Sequence, residues 1–160
     1  MSTKPASSRS QPPASPQVLG QTAVLVTPGA IGRSGGLAIS VRAVKEALGR
    51  LPPTVRAVAI TGNGEAPPGE DFDAMVADLD KGWDGVVSGR PVSEAVKLVE
   101  GGWVAGSLDR SGLVSIVPPI LINREVLDGV LADLSEDGWI DPVEAVIAAG
   151  GKVGIRSQPR

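Results

Sequence analysis

Short apolar runs alternate with amphipathic segments along most of this chain, and that alternation limits the possible folds more than any other feature. A short continuous apolar run between turn residues is typical of a strand buried on both faces. Strands are expected at residues 23–26, 55–60, 84–87 and 152–155. Strands that alternate with helices favour an α/β fold, in which helices cover both faces of a mostly parallel, Rossmann-like sheet.

The intervening helices have clear start signals. Ser40 and Asn123 are each suited to cap the helix that follows. Asp141 can cap the last helix, because Pro142 suits its first turn and Glu144 completes a capping box. One further helix is indicated by apolar residues at i, i+3, i+4 and i+7 spacing, namely Phe72, Met75, Val76 and Leu79.

Two segments depart from the alternation. Residues 1–21 are rich in Ser, Pro and Gln, and they predict a disordered tail because they lack the apolar surface that offsets lost conformational entropy. Residues 92–122 contain two β segments around Gly101-Gly102 and a third apolar run, which predicts a protruding β arm. We therefore expect one α/β domain over residues 22–156 and a short tail over 157–160.

Composition excludes several function classes. The 160 residues contain no Cys and no His, which removes thiolate nucleophiles, the usual zinc ligands and imidazole acid–base chemistry. The net charge of -3 and the scattered cations argue against nucleic acid as a partner. No run approaches the roughly 20 apolar residues of a membrane span, and the N-terminus has no leader pattern. We expect a cytoplasmic protein without a membrane partner.

A glycine-rich loop over residues 27–36 is the first candidate site, because its backbone N–H groups could cradle a phosphate. The loop contains no Lys and has neither the Walker nor the Rossmann glycine spacing. The alternative is that it is a flexible connecting loop that binds no phosphate. The candidate phosphate-binding residues are Gly29, Gly32, Arg33 and Gly35.

An acidic set on the second helix could be interpreted as a magnesium site, since hard cations prefer clustered carboxylates. Its members are Asp71, Asp73, Asp78 and Asp80. They fall between the apolar positions of an amphipathic helix, where acidic residues normally face water. We therefore expect no metal site there.

Three cations lie near or on the arm: Arg90, Lys97 and Arg110. They are either ordinary surface charges, worth about 0 to 1 kcal/mol per ion pair, or a cluster that receives an anion from a partner subunit. The residue pattern alone leaves both interpretations open.

The order of motifs from residue 84 to 153 points to a known family. Residues 85–92 read Gly-Val-Val-Ser-Gly-Arg-Pro-Val, residues 109–113 read Asp-Arg-Ser-Gly-Leu, and residues 150–153 read Gly-Gly-Lys-Val. Upstream, Gly35-Gly36 precedes the helix start Ser40-Val41-Arg42. Together these motifs resemble the 2-C-methyl-D-erythritol 4-phosphate cytidylyltransferase family of isoprenoid precursor synthesis.

The resemblance implies a GT-A-like nucleotidyltransferase fold and a homodimer in which each arm completes the neighbour's site. It implies that Arg110 and Lys97 are retained substrate-binding residues, and that Mg²⁺ serves the reaction if the chain is active. It assigns no catalytic residue, because several family positions have changed.

The changed positions remove metal-binding and phosphate-binding groups. Where the family has His-Asp-Ala-Ala-Arg-Pro, this chain has Gly62 in place of the Asp and Glu65 in place of the Arg. Ala95 replaces a Thr of the arm, and Pro118-Pro119-Ile120 replaces Thr-Pro-Gln. The nucleotide loop and a downstream Lys segment of the family are also expected to be missing or contracted.

Phosphoryl transfer depends on cations that position phosphates and absorb developing charge. We therefore expect a truncated, catalytically inactive relative that acts as a dimerising binding or regulatory protein, with itself or an active homologue as its partner. The alternatives are a residual nucleotidyltransferase that uses CTP and a sugar or polyol phosphate, and a phosphate or nucleotide sensor.

Overall fold

The computed structural model describes residues 16–26, 30–31, 37–61 and 69–157. These residues form eleven strands and four α-helices. The strands are β1 (Gln17–Leu19), β2 (Thr22–Val26), β3 (Ala30–Ile31), β4 (Leu37–Ser40), β5 (Ala57–Thr61), β6 (Gly85–Pro91), β7 (Lys97–Glu100), β8 (Trp103–Ser107), β9 (Val114–Asn123), β10 (Trp139–Ile140) and β11 (Val153–Ser157). The helices are α1 (Val41–Gly49), α2 (Gly69–Leu79), α3 (Arg124–Ala132) and α4 (Pro142–Ala148).

The main sheet has six strands in the order β1-β2-β5-β9-β6-β11. Strands β2 and β5 are parallel, and so are β6 and β11. Strand β9 is antiparallel to both of its neighbours, β5 and β6, and β1 is antiparallel to β2. Four of the six strands therefore run in the same direction, which confirms the expected mostly parallel α/β sheet.

Helices cover both faces of this sheet, as predicted. Alternate residues of a strand point to opposite faces, and the apolar core divides accordingly into two clusters. Helices α1, α3 and α4 pack on one face, against strand residues that include Val58 and Ile122. Helix α2 packs on the other face through Phe72 and Met75. Within the described ranges, no helix is long and apolar enough to cross a membrane.

The three predicted caps are confirmed. Ser40, Asn123 and Asp141 each accept hydrogen bonds from backbone N–H groups in the first turn of the following helix. Arg124 links the start of α3 to the end of α1 and the segment after it. Its guanidinium donates to the carbonyl oxygens of residues 52, 55 and 48 at 2.6, 3.2 and 3.4 Å. One of these carbonyl groups is at the end of α1 and two lie in the segment after it, so the bonds fix the start of α3 beside the end of α1.

The predicted tail over residues 1–21 is wrong in its last part. Residues 17–19 form the edge strand β1, which pairs with β2 through Val18 and Ala23. Composition did not reveal this strand, because its stability comes from backbone hydrogen bonds to the open edge of β2. Residues 1–15 and 158–160 lie outside the described residues, and β11 extends through Ser157.

The predicted limits of the arm, 92–122, are also wrong. Residues 114–123 form one strand of ten residues. Its first half pairs with the end of β6, and from Ile120 onward it pairs with β5 at the centre of the sheet. Pro118-Pro119 interrupts the apolar run without ending the strand, because a register shift between Val86 and Ser88 takes up the extra residues.

An ion pair attaches the edge strand β11 to α2. Arg156 Nη1 donates to Asp78 Oδ2 at 2.6 Å, and Lys81 Nζ donates to Oδ1 of the same carboxylate at 3.0 Å. The Asp78 side chain is 19% exposed and that of Arg156 is 39% exposed. The hydrogen bond from Arg156, and then that from Lys81, lowers the pKa of Asp78 below its ordinary value of 3.8.

We expect Asp78→Asn to lower the free energy of unfolding by about 1 kcal/mol at pH 7, since partial exposure of Arg156 weakens a charged hydrogen bond. Because the folded pKa of Asp78 is lowered, its contribution is complete above pH 3.8 and is lost as the pH falls through the folded value. The difference between wild type and variant in urea unfolding should therefore shrink at acid pH. Asp73→Asn, at an exposed position of the same helix, is the control; a difference that stays constant down to pH 2.5 would contradict this assignment.

Candidate functional site

In open α/β sheets, ligands bind outside the carboxyl ends of the parallel strands. In this fold those ends are Val26, Thr61, Pro91 and Ser157. The residues that directly follow β2, β5 and β11 lie outside the described residues. The described part of this edge follows β6 directly. It consists of residues 92–113, which we call the arm, and of the paired strand ends at Pro91 and Val114, which form its base.

The arm carries a two-stranded hairpin of β7 and β8. Its turn places Gly101 at φ 54° and Gly102 at φ 85°, and a two-residue hairpin turn of type I′ requires positive φ at both central positions. The predicted pair of β segments around these glycines is confirmed. Residues 92–96 and 108–113 connect the hairpin to the sheet.

A cleft of about 530 Å³ opens at the base of the arm. The pairing of Pro91 with Val114 holds its two walls together, one from the residues after β6 and one from the residues before β9. Its lining residues are Pro91, Val92, Ser93, Arg110, Ser111, Leu113 and Val114. The cleft therefore combines apolar walls with hydroxyl groups and one cation, a lining suited to an anionic ligand that has an apolar part.

Arg110 is the cation that lines this cleft. It begins a short 3-10 helix, Arg110–Gly112, and its guanidinium donates to the carbonyl oxygen of Ser93 on the opposite wall. A guanidinium has five N–H donors in a planar fork that matches phosphate and carboxylate oxygens. In the described part of the chain Arg110 uses the fork for this one bond, so donors remain for an anion.

Asp109 fixes the turn that presents Arg110. Its carboxylate accepts a hydrogen bond from the backbone N–H of Ser111 at 2.9 Å and caps the 3-10 helix. That backbone hydrogen bond lowers the pKa of Asp109 below 3.8. The carboxylate is consequently ionised at neutral pH and acts as a cap, so it has no proton to supply to a reaction.

Lys97, the second predicted substrate contact, lies on the hairpin and away from the cleft lining. Its Nζ donates to Ser107 Oγ at 2.5 Å across the β7–β8 pair. Arg90 lies on β6 opposite Ser115, beside the cleft. The structure thus places Arg110 at the base of the arm and Lys97 farther out, so one chain does not combine them into a single site.

The predicted phosphate loop falls largely outside the described residues. Gly29, Gly32, Arg33 and Gly35 are all among the positions that are not described, and so are the replaced family positions Gly62 and Glu65. Within the loop, Ala30 and Ile31 form β3, which pairs with β4. Part of the loop is therefore a strand, and its phosphate-binding role stays a prediction.

Within the predicted acidic set, Asp78 has a structural role, because its carboxylate accepts hydrogen bonds from Arg156 and Lys81. Asp73 and Asp80 are exposed, and the side chain of Asp71 is outside the described residues. Over the described ranges, no three acidic side chains are grouped so that they could hold a metal ion.

The sequence did not reveal the part that Ser93 plays in the cleft. Ser93 contributes its backbone carbonyl oxygen to Arg110, and every residue type carries that group. Only the pairing of β6 with β9 brings these two segments together, 17 residues apart in sequence.

Comparisons with known proteins identify the architecture. No family model matches the chain. A 4-diphosphocytidyl-2C-methyl-D-erythritol synthase from Anaerococcus prevotii superposes with a TM-score of 0.61 at 15% identity, over 82% of this chain and 59% of that protein. A second structure of such a synthase gives 0.57 at 20% identity, over 74% and 57%. The chain has a cytidylyltransferase fold.

A third structure with this cytidylyltransferase fold is the 2-C-methyl-D-erythritol 4-phosphate cytidylyltransferase of Thermus thermophilus, with a TM-score of 0.56 at 16% identity over 74% of this chain and 59% of that protein. The chain spans less than three fifths of the length of each of these three proteins. At such identities the likeness concerns the fold, and the expected nucleotidyltransferase-like architecture is confirmed.

If the cleft holds an anion, we expect Arg110→Ala to weaken binding of inorganic phosphate at least tenfold. The variant removes the cation of the cleft, and a charged hydrogen bond is worth about 1.5 to 3 kcal/mol. Isothermal titration calorimetry at constant ionic strength measures the change. Arg42→Ala is the matched control, because Arg42 pairs with Glu136 and Asp137 on another surface; equal phosphate affinity of Arg110→Ala and Arg42→Ala would contradict this site.

Proposed function

We propose that this chain is a cytidylyltransferase-like protein that no longer catalyses nucleotidyl transfer and acts as a dimerising binding or regulatory protein. The arm supports this proposal most directly. Val99, Trp103 and Val104 are 64, 79 and 67% exposed on a hairpin whose two strands, among the described residues, pair only with each other. A two-stranded hairpin is marginally stable in water, and exposed apolar clusters of this kind mark a partner surface.

The replaced positions support the loss of catalysis. Gly62 and Glu65 stand where the resemblance implies a metal-binding Asp and a phosphate-binding Arg. The second replacement exchanges a positive charge for a negative one, which repels the phosphates that a nucleotidyltransferase must bind. The described acidic side chains do not compensate with a metal site elsewhere.

Retained groups support a ligand class for this proposal. The cleft at the arm base contains Arg110, which has N–H donors beyond its bond to Ser93, and apolar walls such as Val92 and Leu113. A phosphorylated sugar or polyol fits these features, and the related synthases by name form a diphosphocytidyl derivative of methylerythritol. In a homodimer, or in a heterodimer with an active homologue of the methylerythritol phosphate pathway, the arm would present Arg110 to the neighbouring subunit's ligand.

A residual nucleotidyltransferase is the second candidate, and the position of β2 favours it. Strand β2 lies beside β5 and parallel to it, so the glycine-rich segment that follows β2 begins at the edge of the sheet where phosphates bind in α/β folds. Under this proposal Arg33 and the loop glycines receive the triphosphate of CTP, and bound Mg²⁺ neutralises developing charge.

We expect Val99→Lys/Val104→Lys to convert a dimer into a monomer, because two buried ammonium groups would prevent the hairpin from packing against a partner. Multi-angle light scattering after size exclusion measures the mass. Ile147→Lys places the same charge at a residue that is 56% exposed on α4 and should leave the dimer intact. A wild-type protein that is monomeric at high micromolar concentration would refute the dimer.

We expect no pyrophosphate release when the wild-type protein is incubated with Mg²⁺, methylerythritol phosphate and each of the four nucleoside triphosphates. The rate should equal that of Arg110→Ala, because both lack the metal-binding carboxylate that the family resemblance implies at position 62. Pyrophosphate release above the Arg110→Ala rate with CTP, and with none of the other three nucleoside triphosphates, would contradict this expectation. It would establish the residual nucleotidyltransferase in place of the binding protein.

A further inference from the structure

A second cleft, of about 310 Å³, lies at the edge of the main sheet opposite the arm. Strands β2, β5 and β6 begin at this edge and β9 ends there. Ligands of open α/β sheets usually bind at the other edge, outside the carboxyl ends of the parallel strands. We call this space the rear cleft; its lining includes Thr22, Arg56, Leu79, Asp80, Trp83 and Asp84. The proposed function makes no use of it.

The rear cleft lies on the face of the sheet that α2 covers. Leu79 and Ala57 line it, belong to the apolar cluster of that face and are 8 and 5% exposed. Thr22 has the same orientation as Val24 of this cluster, because alternate residues of a strand point to one face. The cleft therefore has an apolar floor between the end of α2 and the first residues of β2 and β5.

Thr22 brings a buried hydroxyl group to the cleft. The residue is 5% exposed, and among the described residues nothing forms a hydrogen bond with its side chain. The large majority of buried polar side-chain groups have a partner, which is water or a ligand where the protein supplies none. Because Thr22 borders the rear cleft, a molecule bound there can supply that partner.

Charged groups of both signs line the rear cleft without neutralising each other. Arg56 directly precedes β5, and Asp80 and Asp84 come from the segment between α2 and β6. Within the described part of the chain, no ion pair joins Arg56 to either carboxylate, and its guanidinium has no other partner. Asp84 uses only Oδ2, which accepts a hydrogen bond from the backbone N–H of Lys152 at 2.8 Å. The arrangement suits a ligand that carries both charges, since its carboxylate and its ammonium group can then each be paired.

Asp80 directly follows the last residue of α2. The carboxyl end of a helix carries a partial negative charge, so a cation is favourable there and a carboxylate is not. Asp80 is exposed and, over the described ranges, pairs with no cation. It therefore adds to the negative end of α2, and the combined charge attracts an ammonium group.

Trp83 gives the rear cleft an apolar wall. A Cβ on Gly154 would lie 3.1 Å from Cδ2 of the indole ring. The ring thus packs closely on the backbone of β11, and a larger residue at position 154 would crowd it. Trp83 remains 40% exposed and borders the cleft. An indole face binds apolar groups and also attracts ammonium groups.

We propose that the rear cleft binds a free amino acid, with its carboxylate on Arg56, its ammonium group beside Asp80 and an apolar side chain against Trp83. A simple anion would meet the two carboxylates of the lining, and a simple cation would leave Arg56 without a partner. The described acidic side chains form no group of three that could hold a metal ion there. This site goes beyond the proposed function and does not depend on it.

Tryptophan fluorescence tests the site, because Trp83 can be made the only indole. The other two tryptophans, Trp103 and Trp139, are 79 and 55% exposed, so Trp103→Phe/Trp139→Phe should fold normally. This protein is titrated with each proteinogenic L-amino acid, and isothermal titration calorimetry of the wild-type protein covers the aromatic ones. We expect saturable binding of at least one apolar amino acid with a Kd below about 1 mM. Failure of every amino acid to bind would overturn the proposal.

Matched analogues of the amino acid that binds best test the need for both charges. For leucine, 3-methylbutylamine lacks the carboxylate and 4-methylpentanoate lacks the ammonium group. We expect each analogue to bind the wild-type protein at least tenfold more weakly than leucine, because each loses a charged hydrogen bond. An analogue that binds as tightly as the amino acid would contradict the pairing of two opposite charges.

Substitutions assign the two ends of the ligand. Arg56→Ala should abolish the preference for the amino acid over its amine analogue, and Asp80→Asn should abolish the preference over its carboxylate analogue. Arg50→Ala is the matched control, since Arg50 is exposed after α1 and does not line the cleft. Equal affinity of Arg56→Ala and Arg50→Ala for the amino acid would overturn the site. Circular dichroism checks folding; should a variant unfold, the affinities of the analogues for the wild-type protein decide.

Discussion

The backbone pairing of β9 with both β5 and β6 is the constraint on which the rest of this structure depends. Without β9 the sheet would divide into two parts, β1-β2-β5 and β6-β11. The same strand returns from the arm, so its first residue, Val114, lines the cleft and its second half forms the centre of the core. Core stability and the shape of the cleft are therefore coupled through one continuous backbone.

Local signals in the sequence predicted the elements that depend on nearby residues. The caps at Ser40, Asn123 and Asp141 and the glycine turn of the hairpin follow from interactions within a few residues, and the structure has all four. Those interactions do not require knowledge of distant chain segments. The α/β class likewise follows from the alternation of periodic patterns.

Features that depend on distant pairing were not predicted. Residues 17–19 have no strong strand signal and become a strand because the edge of β2 is open. The run over residues 114–123 reads as part of an arm in the sequence, yet its second half is buried between β5 and β6. Arg156 and Asp78 are 78 residues apart, so no spacing rule could have paired them. Arg110 was predicted as a site residue through a family motif, whereas its hydrogen-bond partner, the Ser93 carbonyl, could be recognised only from the fold.

The pairing of Pro91 with Val114 closes residues 92–113 into a single excursion from the sheet. The entropic cost of closing such a loop rises only with the logarithm of its length. Evolution can consequently lengthen, shorten or replace this excursion while the core strands keep their register, provided that the two closing residues remain paired. The arm is thus a segment whose length and sequence the register of the core strands does not fix.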